Sequence, residues 1–166
     1  MIVRKMPATV AAIFGVAVSA AAADLPKEGT YHGTYAAIGT YKEIKVGNDR
    51  SLDVFDENGV QVTNGVADHM TFHCWGTQEV TNGEGISRGY CVGIDPAGDR
   101  IEGKFANDQH KVGATFKGTF SLDGGTGKFT GISGTCPIEN HSSEFRPIVE
   151  GTYVSYATFE CNYKLP

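Results

Sequence analysis

The sequence is short of the patterns on which much enzyme and nucleic-acid chemistry is built. Its 166 residues carry a formal net charge of −5 and no basic run after the first few positions. Phosphate backbones are held by clustered Lys and Arg, so no nucleic-acid partner is expected. There is no CxxC pair, which removes a thioredoxin-type redox role, and the four cysteines are spaced 17, 45 and 25 residues apart, without the close pairs of a tetrahedral zinc site. There is no GxSxG nucleophile elbow and no HxH of the kind that holds a metal on a strand. His69 and His73 have HxxxH spacing, but that spacing converges only on a helix; on a strand the two rings lie about 13 Å apart. "GGTGKF" at 124–129 has Leu122 where a phosphate loop needs its first glycine and Phe129 where it needs Ser or Thr. No metal and no organic cofactor is expected. No amphipathic helical window follows the first two dozen residues, and no later stretch is long and apolar enough to span a bilayer.

The chain opens with Arg4 and Lys5, then an apolar run from about Ala8 to Val18 and a string of small residues ending near Ala23. This is the pattern of a cleaved secretory signal peptide, residues 1–23, and it predicts a periplasmic or secreted mature protein, residues 24–166. A membrane anchor would need roughly 20 apolar residues and a stop-transfer charge cluster. Loss of Arg4 and Lys5 takes the net charge from −5 to −7. The mature length suits one domain with a core of its own. Cys74, Cys91, Cys136 and Cys161 all lie in it, where oxidation is permitted, so two disulfides are expected among three connectivities.

Glycine, at 22 residues, is about twice its usual share of roughly 7% and is spread among Tyr, Phe, Thr and Val. That mixture predicts many tight turns and bent strands. Strands are read at 30–46, 51–57, 60–66, 69–81, 84–94, 100–106, 112–122, 128–136 and 150–164, separated by punctuators such as Asn58-Gly59 and Asn82-Gly83. The expected fold is all-β, a single antiparallel barrel of eight to nine strands, since closure removes the edges a sandwich would leave open. "GTY" recurs at 29–31, 33–35, 39–41 and 151–153 with no fixed period, which reads as strand chemistry and not as a solenoid repeat. Residues 137–150 form the one long irregular connection, a length found in functional or mobile loops.

A two-residue turn at Asn82-Gly83 makes Cys74 and Cys91 face each other across a non-hydrogen-bonded pair, where side chains approach closely. A cross-strand disulfide follows, leaving Cys136 for Cys161; a bulge at Gly85 would shift the register and flip every assignment. One face of this hairpin then carries the cysteines with Met70, Phe72 and Val80. The other carries His73, Trp75 and Glu79 against Arg88, Tyr90, Val92 and Ile94. The second face reads either as a barrel lumen with a polar working end or as a solvated exterior; the dislike of Trp, Tyr, Val and Ile for water tips the balance toward the lumen.

Two short patterns have plain alternatives. Asp95 and Asp99 in "DPAGDR" could hold calcium, but Asp-Pro-x-Gly is good turn chemistry without an ion. "NHS" at 140–142 matches a glycosylation acceptor.

"GYCVGIDPAGDRI", "GGTGKFTGISG" and "EGTY" leading to the terminal "YKLP" resemble a group of small exported bacterial proteins with the allene oxide cyclase-like barrel, over about Gly29 to Pro166. The wider class includes plant allene oxide cyclases, dirigent proteins and spirotetronate cyclases. The resemblance implies a barrel that holds a small apolar or aromatic molecule in one conformation without a cofactor, mainly by shape and proximity. No catalytic residue carries over from that class; with the second hairpin face as lumen, Glu79 and His73 are the candidate general acid or base, Arg88 and Tyr90 the stabilisers of negative charge, and Trp75, Val92 and Ile94 the substrate wall. The function expected is binding, with isomerase, cyclase or lyase chemistry on the bound molecule. The alternative is a non-catalytic carrier or envelope interaction protein. Related barrels often assemble as homo-oligomers.

Overall fold

The computed structural model describes residues 25–166; the expected signal peptide lies outside the described residues. Nine strands follow one another in the chain: β1 (Glu28–Lys45), β2 (Arg50–Thr63), β3 (Met70–Thr81), β4 (Glu84–Ile94), β5 (Arg100–Asn107), β6 (His110–Lys111), β7 (Phe116–Gly125), β8 (Ser133–Asn140) and β9 (Thr152–Lys164). All pairings are antiparallel, in the order β3-β2-β1-β9-β8-β7-β5-β4, and β3 also pairs with β4. That last pairing closes eight strands into a barrel, with the two-residue β6 attached to β4. No helix among the described residues is long and apolar enough to cross a membrane.

The hairpin register follows from its turn. Asn82 and Gly83 have φ of 53° and 79°, the left-handed pair that a two-residue turn matched to strand twist requires. Thr81 then faces Glu84, and Cys74 faces Cys91. The two cysteines form a disulfide with Cα atoms 4.1 Å apart, and Cys136 is joined to Cys161 at 4.0 Å. In the closed sheet order the two bridges occupy opposite walls, with two strands between them on either side. Two disulfides fit an oxidising compartment.

Asn58-Gly59 corrects the sequence reading. It is not a turn: β2 runs straight through it, pairing Asn58 with Ile38 and Gly59 with Ala37 on β1. Glycine is needed there for a different reason, since a Cβ on Gly59 would sit 2.4 Å from the Ala36 carbonyl oxygen. The expected strand at 128–136 also begins later. Gly127–Phe129 forms a 3₁₀ turn instead, and Phe129 and Ile132 fold under the barrel.

That fold-under makes the two ends of the barrel unlike. At one end Tyr31, Met70, Ile101, Leu122, Phe129, Ile132 and Tyr163 pack into a plug, with Phe129 and Met70 wholly buried. Full burial of one such side chain stabilises by about 1.5–3 kcal/mol. Asp95 and Asp99 belong to the turn beside this plug. Asp95 Oδ1 accepts hydrogen bonds from the amides of Ala97 and Asp99 at 2.8 and 2.9 Å, and its other oxygen pairs with Lys128 Nζ. Both Asp95 oxygens thus serve the turn and Lys128, the plain turn chemistry read for Asp-Pro-x-Gly. At the other end the turns 46–49 and 82–83, the segment 108–115 and the connection 141–151 surround an open mouth.

Candidate functional site in the barrel lumen

Between plug and mouth lies a cavity of about 940 Å³. Its wall can be read in steps down β1 and β2, because alternate residues of each strand point inward. From the mouth the inward pairs are Glu43 with Asp53, Tyr41 with Phe55, Gly39 with Glu57, Ala37 with Gly59 and Tyr35 with Gln61. Phe72, Phe105, Phe120, Phe159 and Tyr153 complete an aromatic lining, and both disulfides show on it. Tyr153 packs edge-on to Phe55 with ring centres 6.2 Å apart, and Phe55 lies 5.9 Å from Phe105.

Glu57 is the charged group of this middle level. It is 8% exposed, which for a carboxylate demands partners. Tyr35 Oη donates to Glu57 Oε1 at 3.2 Å and also lies 3.7 Å from Cys74 Sγ. Tyr153 Oη approaches the same carboxyl without completing a hydrogen bond, and Ser155 stands beside it. Burial pushes the Glu57 carboxyl above its ordinary 4.5; the hydroxyls of Tyr153, Tyr35 and Ser155 pull it back in part, and Asp56 pushes it further up. Tyr35 and Tyr153 are both raised well above the usual tyrosine range, by burial first and the Glu57 charge second, so both keep their protons. The arrangement is a buried carboxyl raised above its ordinary range, bonded by the Tyr35 hydroxyl with the Tyr153 hydroxyl beside it, in an apolar room.

The position of Tyr153 depends on one glycine. Its ring lies flat against Gly39, where a Cβ would come within 2.5 Å of the ring carbon bearing the hydroxyl. A second polar line leads toward the mouth: Asn140 Nδ2 donates to Ser155 Oγ at 3.5 Å, and the Ser142 amide donates to Asn140 Oδ1 at 2.9 Å. Asn140 is therefore an interior residue, 8% exposed, and this corrects the glycosylation reading of 140–142. Across the lumen, Asn107 Nδ2 donates to Ser87 Oγ at 2.7 Å.

The residues read from the sequence as a working face lie elsewhere. With Cys74 and Cys91 pointing inward, alternation sends His73, Trp75, Glu79, Arg88, Tyr90, Val92 and Ile94 outward. Trp75 is 40% exposed, Tyr90 58% and Ile94 39%. The lumen assignment of this face is thus corrected. The aversion of aromatic and β-branched side chains to water gave way to register, because the inner face had to take the disulfide. The structure does bring part of the set together: His73 Nε2 pairs with Asp56 Oδ2 at 2.6 Å, its ring lies 5.1 Å from Trp75, and Trp75 lies 6.4 Å from Tyr90. Glu79 faces Ile86, and Arg88 faces Thr77.

Sequence reasoning missed Glu57, Tyr35 and Tyr153. Glu57 was hidden by Asn58-Gly59, which put it at a strand end. For the tyrosines a signal was present. Tyr31, Tyr35, Tyr41 and Tyr153, the tyrosines of the four GTY phrases, all line the lumen. In the first three phrases the glycine two places earlier, on the same face, leaves room for a neighbouring ring, Tyr163 at Gly29, Phe159 at Gly33 and Tyr153 at Gly39; Gly151 lies instead in the turn before β9.

No protein-family model matches the chain, and no curated protein does. Among solved structures, a pterocarpan synthase dirigent protein is similar in fold. The superposition has a TM-score of 0.47 at 9% sequence identity and covers 85% of this chain and 94% of that one.

Proposed function

We propose that this protein is an exported barrel that encloses a small hydrophobic or aromatic molecule and moves a proton on it without metal or organic cofactor. The observation that carries this reading is Glu57: a buried carboxyl raised above its ordinary range, between two tyrosine hydroxyls, facing an aromatic cavity. Glu57 takes a proton from an acidic position of the bound molecule and returns it at another, which is the core of an isomerisation or cyclisation. Tyr35 and Tyr153, fixed as donors, stabilise the negative charge that develops on a substrate oxygen. The aromatic wall selects the conformer and excludes water. Export is supported by the leader pattern of residues 1–23 and by the two disulfides.

The test is calorimetric titration of the mature protein with phenylpropanoids, polyketide-like compounds and fatty acids, followed by product analysis for any compound that binds. One class should bind one molecule per chain and be turned over. Glu57→Gln should then lower turnover by about 10²–10⁴-fold with binding changed only a few-fold. Full turnover in Glu57→Gln would sink the catalytic assignment. Binding without turnover in the wild type would make the barrel a carrier.

A further inference from the structure

The charges that line the lumen and its mouth are one-sided. The cavity wall includes the carboxylates of Glu43, Asp53 and Glu57, against one guanidinium, Arg146, and one imidazole, His110. The three carboxylates share one wall, since Glu43 and Asp53 face each other across β1 and β2, and Glu57 comes two inward steps further down β2. At roughly 3.3 Å per residue this places the two carboxylate levels about 13 Å apart. Arg146 belongs to the mouth connection, and His110 lies across the lumen, stacked on Phe116 and 3.4 Å from Gln78.

Two like charges directly opposite on paired strands repel one another. Asp53 shows the consequence: burial raises its carboxyl first and Glu43 raises it further, against a smaller opposing effect of Ser51. The entrance of the barrel therefore carries an acidic pair, Glu43 exposed and Asp53 half-buried, with no ion-pair partner among the described residues. Between that pair and Glu57 the wall is aromatic. Tyr41 and Phe55 form the intervening level, and Tyr153 packs against both, at 6.3 and 6.2 Å between ring centres. The Tyr153 hydroxyl is itself buried with no completed hydrogen bond. Ring faces carry the negative lobe of the aromatic quadrupole, so they add to the attraction that the two carboxylates hold for a cation. Two opposed carboxylates fall short of the six to eight oxygens a calcium ion takes, and no group of three or more metal-binding side chains converges among the described residues.

The geometry points to an organic cation: the lumen takes a molecule with an apolar or aromatic body and a protonated amine, the ammonium lying between Glu43 and Asp53 and the rings of Tyr41, Phe55 and Tyr153, and the body filling the cavity below. This rests on the reading of the lumen as a ligand site and specifies the charge of what enters it.

The experiment uses three probes of nearly one shape, 2-(1-naphthyl)ethylamine, 2-(1-naphthyl)ethanol and 1-naphthylacetic acid, titrated into the mature protein by calorimetry at low and high salt. The amine should bind at least about tenfold tighter than the alcohol at low salt, the acid weakest, and the gap should narrow as salt screens the mouth. In Glu43→Gln/Asp53→Asn the amine should fall to the affinity of the alcohol, while the alcohol keeps its wild-type value and so reports an intact lumen. Single Asp53→Asn should give part of that loss and serves if the double variant folds poorly. Equal binding of amine and alcohol to the wild type, or an amine preference that survives the double variant, overturns the inference and leaves the lumen a ligand site. Binding by none of the three probes, nor by the wider panel of compounds, overturns the lumenal reading and the inference with it.

Discussion

On the inner face of β3 and β4 stand Phe72, Cys74, Gln78, Ser87 and Cys91; on the outer face of the same two strands stand His73, Trp75, Glu79, Arg88 and Tyr90. The outer set has the look of chemistry and the inner set does not, yet the cavity lies on the inner side. A barrel encloses by curvature, so each strand need contribute only part of the wall, and small residues on one hairpin make room for rings from others. What makes an interior group reactive is loss of water. Glu57 is shifted because its solvent has been replaced by phenyl rings and three hydroxyls, whereas the Asp56–His73 pair outside stays hydrated and contributes about 0–1 kcal/mol at most.

The contrast is broken most severely by removing an inner bridge. Replacing Cys136 and Cys161 together by Ala should cost about 2–5 kcal/mol, read as a lower denaturation midpoint, because the bridge closes the chain across 25 residues on a fully buried wall. Next in size is Gly39→Ala. The added methyl would strike the Tyr153 ring at 2.5 Å and must displace it, at about 1–3 kcal/mol. The specific sign that the ring has moved is a Glu57 carboxyl that titrates higher, having lost one of its hydroxyls; unchanged titration would mean Tyr153 does not act on Glu57.

Glu57→Gln should have a smaller effect on stability and the opposite sign. The folded-state carboxyl is raised above its unfolded value near 4.5, so the native state binds the extra proton. Stability is therefore full below that value and falls as pH rises through the folded-state pKa. The glutamine variant lacks this decline, and above the window it should melt no lower than wild type. A wild-type denaturation midpoint that does not fall relative to Glu57→Gln between pH 4 and 8 would count against a buried, raised carboxyl.

Much of the fold was legible because local chemistry and global closure agree there. Asn82-Gly83 can adopt the turn that sets the register, and the register alone puts Cys74 on Cys91. Asn58-Gly59 uses the same two letters without the turn, because what decides it is the closeness of β1, a contact invisible in a local window. The site was hidden for the same reason. Glu57, Tyr35 and Tyr153 come from three different strands, and their meeting depends on how β1 lies between β2 and β9. The irregular GTY phrases carried the trace of it: glycine and tyrosine two apart is what an inward face needs when rings must fit beside one another in a closed wall.

The smallest expected effect sharpens the comparison from the outside. His73→Ala with Glu79→Ala should change stability by no more than about 1 kcal/mol and leave lumenal binding as it was, since both side chains are exposed and neither meets the cavity. Trp75, the one tryptophan, reports the same boundary without any substitution. It sits on the outer face beside Tyr90, so its emission should be that of a partly hydrated indole and should not respond as the lumen fills. A saturable response at Trp75, with the double variant binding normally, would mean that filling the lumen bends the β3–β4 wall. A response lost in the double variant would instead place a ligand on the outer face itself.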